Sequence, residues 1–188
     1  MVCFQNTVSC AIVGDGMIGK TCLAKAFAGE QFSNKYVATV AGSYNGSVSA
    51  YGDQYCVDIK DTNGQHEDEN TRSRVIADAD VIIICYSATD RESFENVKLF
   101  WIHEVRKFNK RKPVILVATQ SDSRNEKSAD HVTDVEGQNM IKEINGEYYN
   151  KCSAVEKTGL KNVFESAVLA SIKYKKKKTN ILKRVFGR

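Results

Sequence analysis

The segment that most constrains the fold is an eight-residue run at positions 14–21. Its sequence, Gly14-Asp15-Gly16-Met17-Ile18-Gly19-Lys20-Thr21, matches G-x-x-x-x-G-K-[ST] in full. Such a loop needs a strand before it and a helix after it, and the patterns at 8–13 and 20–28 supply both. Its glycines let the backbone wrap closely around phosphate groups. The backbone N–H groups of the loop and the N-terminus of the following helix attract the negative charge of these phosphates. We expect Lys20 to reach the terminal phosphates and the Thr21 hydroxyl to ligate Mg²⁺.

Short apolar runs rich in β-branched residues alternate with helical patterns along the chain. Strands are predicted at 8–13, 46–51, 55–59, 81–86 and 114–118, and helices at 20–28, 91–107, 134–144 and 160–174. The runs at 81–85 and 114–118 are apolar without alternation, which is typical of central parallel strands covered on both faces. The alternation predicts an α/β fold with a mostly parallel sheet and helices on both faces. The turn Tyr51-Gly52-Asp53-Gln54 predicts a hairpin, and so one antiparallel edge.

Ligands of such sheets bind at the carboxyl ends of the strands, so the loops after the strands are where chemistry is expected. One of these loops is Asp61-Thr62-Asn63-Gly64-Gln65. Asp61 can hold the metal through water, Gly64 can offer its N–H to the γ-phosphate, and Gln65 can orient an attacking water. Alone, Asp-x-x-Gly is an ordinary turn. Placed one hairpin after a phosphate loop, it predicts part of the same site.

Two later loops predict the base-binding end of the site. Thr119-Gln120-Ser121-Asp122 follows a buried strand, and Asp122 can accept hydrogen bonds from the N1–H and the amine of guanine. Adenine offers no such donor pair, so a site of this kind discriminates by roughly 10⁴. A solvated loop aspartate is the ordinary alternative for such a residue in isolation. The run Cys152-Ser153-Ala154 can supply a backbone N–H to the base oxygen, although it is unremarkable alone.

Bulk properties limit the remaining choices. A chain of 188 residues with 42% hydrophobic content can bury one core but not two, so we expect a single domain. The net charge of +4 comes from one segment, because eight of the basic residues lie in 173–188. The rest of the chain has 19 basic and 23 acidic residues and is mildly acidic. Six cysteines without C-x-x-C spacing suit a reducing compartment. No apolar run approaches the roughly 18 residues of a spanning helix, and no leader pattern begins the chain, so we expect a cytoplasmic protein.

Taken together, these motifs resemble the Ras superfamily and, within it, the Rac and cell-division-control branch of the Rho family. The matching residues, spread over 8–174, include Gly14-Asp15-Gly16 with Gly19-Lys20-Thr21-Cys22, Tyr36-Val37 with Thr39-Val40, Asp61-Thr62 with Gly64-Gln65, Ser93-Phe94-Glu95-Asn96-Val97, Thr119-Gln120 with Asp122, Cys152-Ser153-Ala154 and Gly159-Leu160-Lys161-Asn162-Val163-Phe164. The resemblance implies a P-loop NTPase fold, a small G-protein domain at 1–174 with a six-stranded, mostly parallel sheet, and a basic tail at 175–188.

The resemblance also implies which residues do the work. The catalytic set is Gln65, Lys20 and Gly64, and the Mg²⁺ ligands are Thr21, Thr39 and Asp61, with Thr39 ligating only in the GTP state. The GTP- or GDP-binding set is Gly14, Asp15, Gly16, Met17, Ile18, Gly19, Lys20, Thr21, Cys22, Phe32, Thr39, Asp61, Gly64, Thr119, Gln120, Asp122, Ser153 and Ala154. Phe32 would lie beside the guanine, and a side chain at Gly16 would interfere with hydrolysis. Protein effectors, exchange factors and GTPase-activating proteins are the implied partners, with no nucleic acid and a monomeric state expected.

The chain departs from the resembled pattern in both switch regions, in a shortened insert between Asp122 and Val132, and at its end. Ala41 and Gly42 replace residues that Rac-like relatives use to contact effectors, and Asn63 stands where alanine is usual. The sequence ends in Val185-Phe186-Gly187-Arg188 rather than in C-a-a-X. We therefore expect membrane attachment, at the plasma membrane or at Golgi or endosomal membranes, to use the basic residues of 175–184 on an anionic surface. A solvated, disordered tail and a nuclear signal are the alternatives.

Three functional hypotheses follow. The leading one is a GTP-hydrolysing switch that controls signalling, the actin cytoskeleton and polarity, or membrane trafficking through GTP-dependent effector binding. Because Asn63 lies beside the γ-phosphate position, the second is a GTP-binding adaptor with little or no hydrolysis. A P-loop kinase or ATPase is disfavoured by Asp122 and by the lack of a second substrate domain.

Overall fold

The structure is a computed structural model that describes residues 6–30, 42–62, 69–125 and 127–186, the last five of these by their backbone alone. Its strands are β1 Thr7–Val13, β2 Gly42–Ala50, β3 Asp53–Asp61, β4 Val81–Ser87, β5 Val114–Thr119 and β6 Tyr148–Lys151. Its α-helices are α1 Lys20–Phe27, α2 Glu69–Asp78, α3 Arg91–Asn96, α4 Ile102–Phe108, α5 Asp134–Glu143 and α6 Leu160–Phe186. A π-helical turn, Val97–Trp101, joins α3 to α4 without a break. A short 3₁₀ turn covers Ser121–Ser123.

The six strands form one sheet in the order β2-β3-β1-β4-β5-β6. Every neighbouring pair is parallel except β2 and β3, which confirms the predicted α/β sheet with one antiparallel edge. β4 and β5 are buried along their whole length and lie inside the sheet, as their unbroken apolar runs predicted. Apolar clusters cover both faces: α1 and α6 pack on one, and α2 to α5 with the π turn pack on the other.

The antiparallel edge is closed by a two-residue turn at Tyr51 and Gly52. Both residues have positive φ, 51° and 88°, and Ala50 pairs with Asp53. Positive φ at both central positions matches the twist of a tight hairpin and favours glycine at the second. The predicted hairpin is therefore present, although β2 begins at Gly42 rather than near residue 46.

Two helices differ from the sequence-based prediction. The helix expected to end at Tyr174 continues to Phe186, so the basic stretch after 174 extends the last helix. Helix α2 was not predicted, because its sequence Glu-Asn-Thr-Arg-Ser-Arg-Val-Ile-Ala-Asp has few apolar residues; only Arg72 and Ile76 are buried. No described helix combines the length and apolar character that crossing a bilayer would need.

Candidate functional site

The phosphate loop, residues 14–21, runs from the carboxyl end of β1 into helix α1. Gly14 has φ 142°, and a Cβ there would lie 2.3 Å from the carbonyl oxygen of Cys85 on β4. Gly19 has φ 89° and immediately precedes α1, where a side chain would be strained. Around Gly16, in contrast, an added Cβ meets no described atom within 4 Å. The fold thus requires glycine at Gly14 and Gly19, whereas no described atom would crowd a side chain at Gly16.

Lys20 lies within the curve of this loop. Its side chain is buried, and Nζ donates to the carbonyl oxygens of Gly14, at 2.9 Å, and Asp15. A buried ammonium costs free energy unless polar groups surround it, and these carbonyls supply them. The same charge is held inside the loop that the sequence predicts to bind phosphates.

The predicted metal ligands Thr21 and Asp61 are brought together from different elements. Thr21 Oγ1, in the first turn of α1, donates a hydrogen bond of 2.5 Å to Asp61 Oδ2 at the end of β3. Asp61 is only 1% exposed, and its other oxygen, Oδ1, has no hydrogen-bond partner among the described residues. Burial raises the pKa of this carboxyl, while Thr21 and the charge of Lys20 lower it. A buried carboxylate oxygen without a partner, beside a hydroxyl, fits a hard cation such as Mg²⁺.

Thr119 joins the base-binding end of the site to the phosphate loop. Its hydroxyl is buried and lies within hydrogen-bond distance of the carbonyl oxygens of Ile18 and, at 2.9 Å, Tyr86. This hydroxyl is therefore engaged within the protein, and we expect Thr119 to act on the nucleotide through the loop that it holds. Ile18 likewise contributes its carbonyl to the loop, while its side chain is buried in the core.

Gln120 follows with a left-handed backbone, φ 54°, that turns the chain out of β5. Its Oε1 accepts from Ser87 Oγ at 2.6 Å and lies 3.3 Å from Thr89 Oγ1, and its Nε2 lies 3.4 Å from the carbonyl oxygen of Met17. Met17 itself is 76% exposed. The amide of Gln120 therefore spans the ends of β4 and β5 and reaches the phosphate loop.

Asp122 and Ser153 are adjacent at the open end of the sheet. The Ser153 hydroxyl makes the largest contribution to lowering the pKa of Asp122, so this exposed carboxyl stays ionised at neutral pH. Ser121 N–H donates to Cys152 O at 3.2 Å, which ties the two base-binding loops together. Ser153 N–H is used by Thr158 O at 3.0 Å. Of the two predicted backbone donors, Ala154 is therefore the one left to meet a ligand in the described part of the chain.

Sequence reasoning missed the partners of Asp15. Trp101 Nε1 donates to Asp15 Oδ1 at 2.6 Å, and Asn96 Nδ2 donates to Oδ2 at 2.7 Å. The predicted helix at 91–107 contains Trp101, which is fully buried in the structure, but a predicted helix does not reveal where an indole N–H points. A tryptophan four residues after Val97 was the only signal that the sequence offered.

The remaining predicted residues divide into two groups. Cys22 lies half-buried in the first turn of α1, and burial raises the pKa of its thiol. Phe32, Thr39, Gly64 and Gln65 lie outside the described residues, so their roles stay predictions from the sequence. The described loops nevertheless meet at one edge of the sheet, where the parallel strands β1, β4, β5 and β6 and the neighbouring β3 all end.

Comparison with known protein families agrees with this geometry. The Ras family model matches residues 9–173, a range that runs from within β1 into α6 and includes the loops predicted to bind the phosphates, the metal and the base. Members of this family are small GTP-binding switches that bind GTP or GDP together with Mg²⁺, and a six-stranded, mostly parallel sheet with a P-loop is their fold. The chain therefore belongs to the Ras family.

Proposed function

We propose that this chain is a Rho-type GTPase that hydrolyses its bound GTP slowly and binds effectors in the GTP state. The observation that carries the proposal is the 2.5 Å hydrogen bond from Thr21 to the buried Asp61, whose other carboxylate oxygen has no described partner, beside the ammonium of Lys20. This arrangement offers a cation site and a positive charge at the mouth of a phosphate loop. The resemblance of its sequence motifs to those of Rac-like proteins supports the Rho branch.

Each residue has a definite task in such a reaction. Lys20 would stabilise negative charge on the β- and γ-phosphates, and the N–H groups of the loop would bind their oxygens. Mg²⁺, held by Thr21, Thr39 and, through water, Asp61, would supply further charge neutralisation. Gln65 would orient the attacking water, and Gly64 would offer its N–H to the γ-phosphate. Because positioning is nearly the whole of this catalysis, slow turnover without a partner protein is expected.

Single-turnover hydrolysis tests the proposal directly. Purified protein loaded with GTP should release phosphate, and Gln65→Leu should lower that rate by roughly 10²-fold or more, the range for loss of one positioned group. Gln138→Leu, an exposed position on α5, is the matched control and should hydrolyse normally. Equal rates in the unchanged protein and Gln65→Leu would remove Gln65 from the mechanism. Stable GTP in all three would support the adaptor instead.

We further propose that the carboxyl-terminal part of α6 attaches the protein to the cytoplasmic face of an anionic membrane, at the plasma membrane or at Golgi or endosomal membranes. Residues 175–181 are all exposed, so this part of the helix leaves the body of the domain. Its beginning contacts the domain: Lys175 Nζ lies 3.5 Å from Asp80 Oδ2, and Lys176 Nζ lies 5.3 Å from the ring centroid of Tyr51. The helix carries Lys175 to Lys178, Lys183 and Arg184 within a few turns.

The sequence of this helix supports a surface location. The apolar residues Ile181, Leu182, Val185 and Phe186 follow the i, i+1, i+4, i+5 spacing of one helix face, a pattern shared by helices that lie in the membrane interface. Each basic residue near an anionic surface contributes about 1 kcal/mol. Signalling, cytoskeletal or trafficking control at such a membrane is the corresponding biological role.

Sedimentation with vesicles separates this attachment from general charge attraction. Vesicles with one third phosphatidylserine should bind the protein, and reversing both Lys177 and Lys178 to Glu should weaken binding at least tenfold, given about 1 kcal/mol for each lysine lost. Lys142→Glu with Lys161→Glu changes the net charge equally on the body of the domain and should bind nearly as well as the unchanged protein. Equal weakening by both pairs, or by neither, would contradict the proposal.

A further inference from the structure

Trp101 is a buried side chain that contacts two functional parts of the molecule at once. Its indole N–H donates to Asp15 Oδ1 of the phosphate loop, and Asn96, one π turn earlier, donates to Oδ2. Both oxygens of the carboxylate are therefore held toward the α3 to α4 helix. Since a carboxylate and a phosphate repel each other, these donors keep a negative charge away from the position that the loop offers to phosphates.

The other contact of Trp101 is with helix α2. The guanidinium carbon of Arg72 lies 6.0 Å from the centroid of the Trp101 ring and 5.9 Å from that of Phe100. Arg72 Nε and Nη2 both donate to Glu104 Oε1, at 3.1 and 2.9 Å. The side chains of this ion pair are only 7% and 11% exposed, so it is a buried, directional contact.

The π turn explains why one helix can make all of these contacts. Val97–Trp101 forms a five-residue wide turn between two ordinary α-helical segments. A π turn inserts a residue and shifts the faces of the helix that follow it. Asn96, just before this turn, and Trp101, its last residue, thereby reach the same carboxylate, while Glu104 reaches α2. Helix α2 begins directly after residues 63–68, which include the predicted catalytic Gly64 and Gln65.

We propose that Trp101 is a positioning residue that couples the phosphate loop to helix α2, so that the position of α2 sets how fast nucleotide leaves the loop. The proposal rests on the proposed function only in that guanine nucleotide binds at residues 14–21. A displacement of α2 moves Arg72, and the indole that Arg72 covers carries the hydrogen bond to Asp15.

Nucleotide release measures this coupling. Trp101→Phe keeps an aromatic ring under Arg72 but removes the N–H donor, and a hydrogen bond to a charged group accounts for roughly tenfold in an equilibrium or rate. We expect fluorescent GDP to dissociate about tenfold faster from this variant. Val105→Ala, a fully buried position of α4, is the control for general loss of core packing. It should lower the melting temperature by at least as much and leave the dissociation rate unchanged.

A double-mutant cycle then tests the route. Arg72→Met should speed dissociation in the unchanged background but add nothing in Trp101→Phe, because the hydrogen bond that carries the effect is already gone. Additive effects, or faster release from Val105→Ala in proportion to its lost stability, would overturn the proposal. Failure of the unchanged protein to bind fluorescent GDP at all would instead contradict the nucleotide site, and it shows as the absence of any signal.

Discussion

Thr21 Oγ1 and Asp61 Oδ2 meet at 2.5 Å although 40 residues separate them in the chain. The contact joins the first turn of α1 to the end of β3, the two elements that flank the phosphate loop in space. It leaves Asp61 Oδ1 buried without a described partner. An ionised carboxylate in that position is destabilising unless a cation compensates for it.

The first prediction concerns Mg²⁺. Chelating Mg²⁺ should speed GDP release from the unchanged protein by roughly tenfold or more, equivalent to about 1.4 kcal/mol. In Asp61→Asn, release should already be fast with Mg²⁺ present, because the neutral amide holds the ion weakly. Asp58→Asn, on the same strand but paired with Lys60 at the surface, should keep the full Mg²⁺ dependence. Undiminished Mg²⁺ dependence in Asp61→Asn would be inconsistent with the site.

The second prediction separates two glycines of the phosphate loop. Gly14→Ala should destabilise the protein by about 2–4 kcal/mol, because its Cβ would meet Cys85 O at 2.3 Å and its φ of 142° is unfavourable for alanine. Gly16→Ala should change stability by less than about 0.5 kcal/mol, since no described atom lies within 4 Å of the position that its Cβ would take. Urea unfolding of protein stripped of nucleotide measures both. If Gly16→Ala proved as destabilising as Gly14→Ala, the described loop geometry would be wrong.

The same pair also separates folding from function. Gly16→Ala should lower single-turnover hydrolysis while leaving the folded state intact, as the family resemblance implies for this position. Normal hydrolysis in Gly16→Ala would show that its open surroundings are not the catalytic side of the loop.

The third prediction is a pH dependence of stability at Glu136. Arg91 Nη1 donates to its carboxylate at 2.6 Å, and this contact, with the Thr133 cap, lowers the pKa of Glu136 to about 2. A lowered folded-state pKa stabilises the protein above the unfolded pKa of about 4.3, and the contribution is lost as pH falls toward 2. Glu136→Gln keeps the cap but loses the charge, so it should be less stable at pH 7 by up to about 1 kcal/mol.

Urea unfolding at a series of pH values checks this sign. The difference between Glu136→Gln and the unchanged protein should hold from pH 7 to about 5 and then shrink. Glu143→Gln, whose carboxylate is half-exposed and paired with Lys98, is the control and should differ little at any pH. A difference for Glu136→Gln that grows as the pH falls would contradict the assignment.

How far the sequence predicts this structure depends on how local each cause is. The phosphate loop, the tight turn at Tyr51 and Gly52, and the all-apolar strands β4 and β5 each follow from neighbouring residues, and all were predicted. Helix α2 was not predicted, because its packing depends on an ion pair between Arg72 and Glu104, which lies 32 residues away in the chain. The partners of Asp15 were missed for the same reason: Trp101 lies 86 residues away, and the helix predicted at 91–107 does not show which residue its indole contacts.

At the end of α6 the sequence-based prediction was too short: the helix was expected to end at Tyr174 but continues to Phe186. The basic run after Tyr174 lacks the spacing of apolar residues that predicts a packed helix, because its residues at 175–181 are exposed. Lysine is nevertheless a good helix former, and a helix already begun extends at little cost. The sequence therefore indicated where packing stops rather than where the helix stops.

The measurement that tests the central claim most directly is the nucleotide preference set by Asp122. GDP should displace fluorescent GDP from the unchanged protein, and ADP should fail to do so even at roughly 10³-fold higher concentration, because adenine cannot supply the paired donors that Asp122 accepts. Asp122→Asn should weaken GDP by roughly 10²-fold, while Asp130→Asn, an exposed carboxylate elsewhere, should leave it unchanged. Displacement by ADP and GDP at equal concentrations, or undiminished GDP affinity in Asp122→Asn, would contradict a guanine nucleotide site.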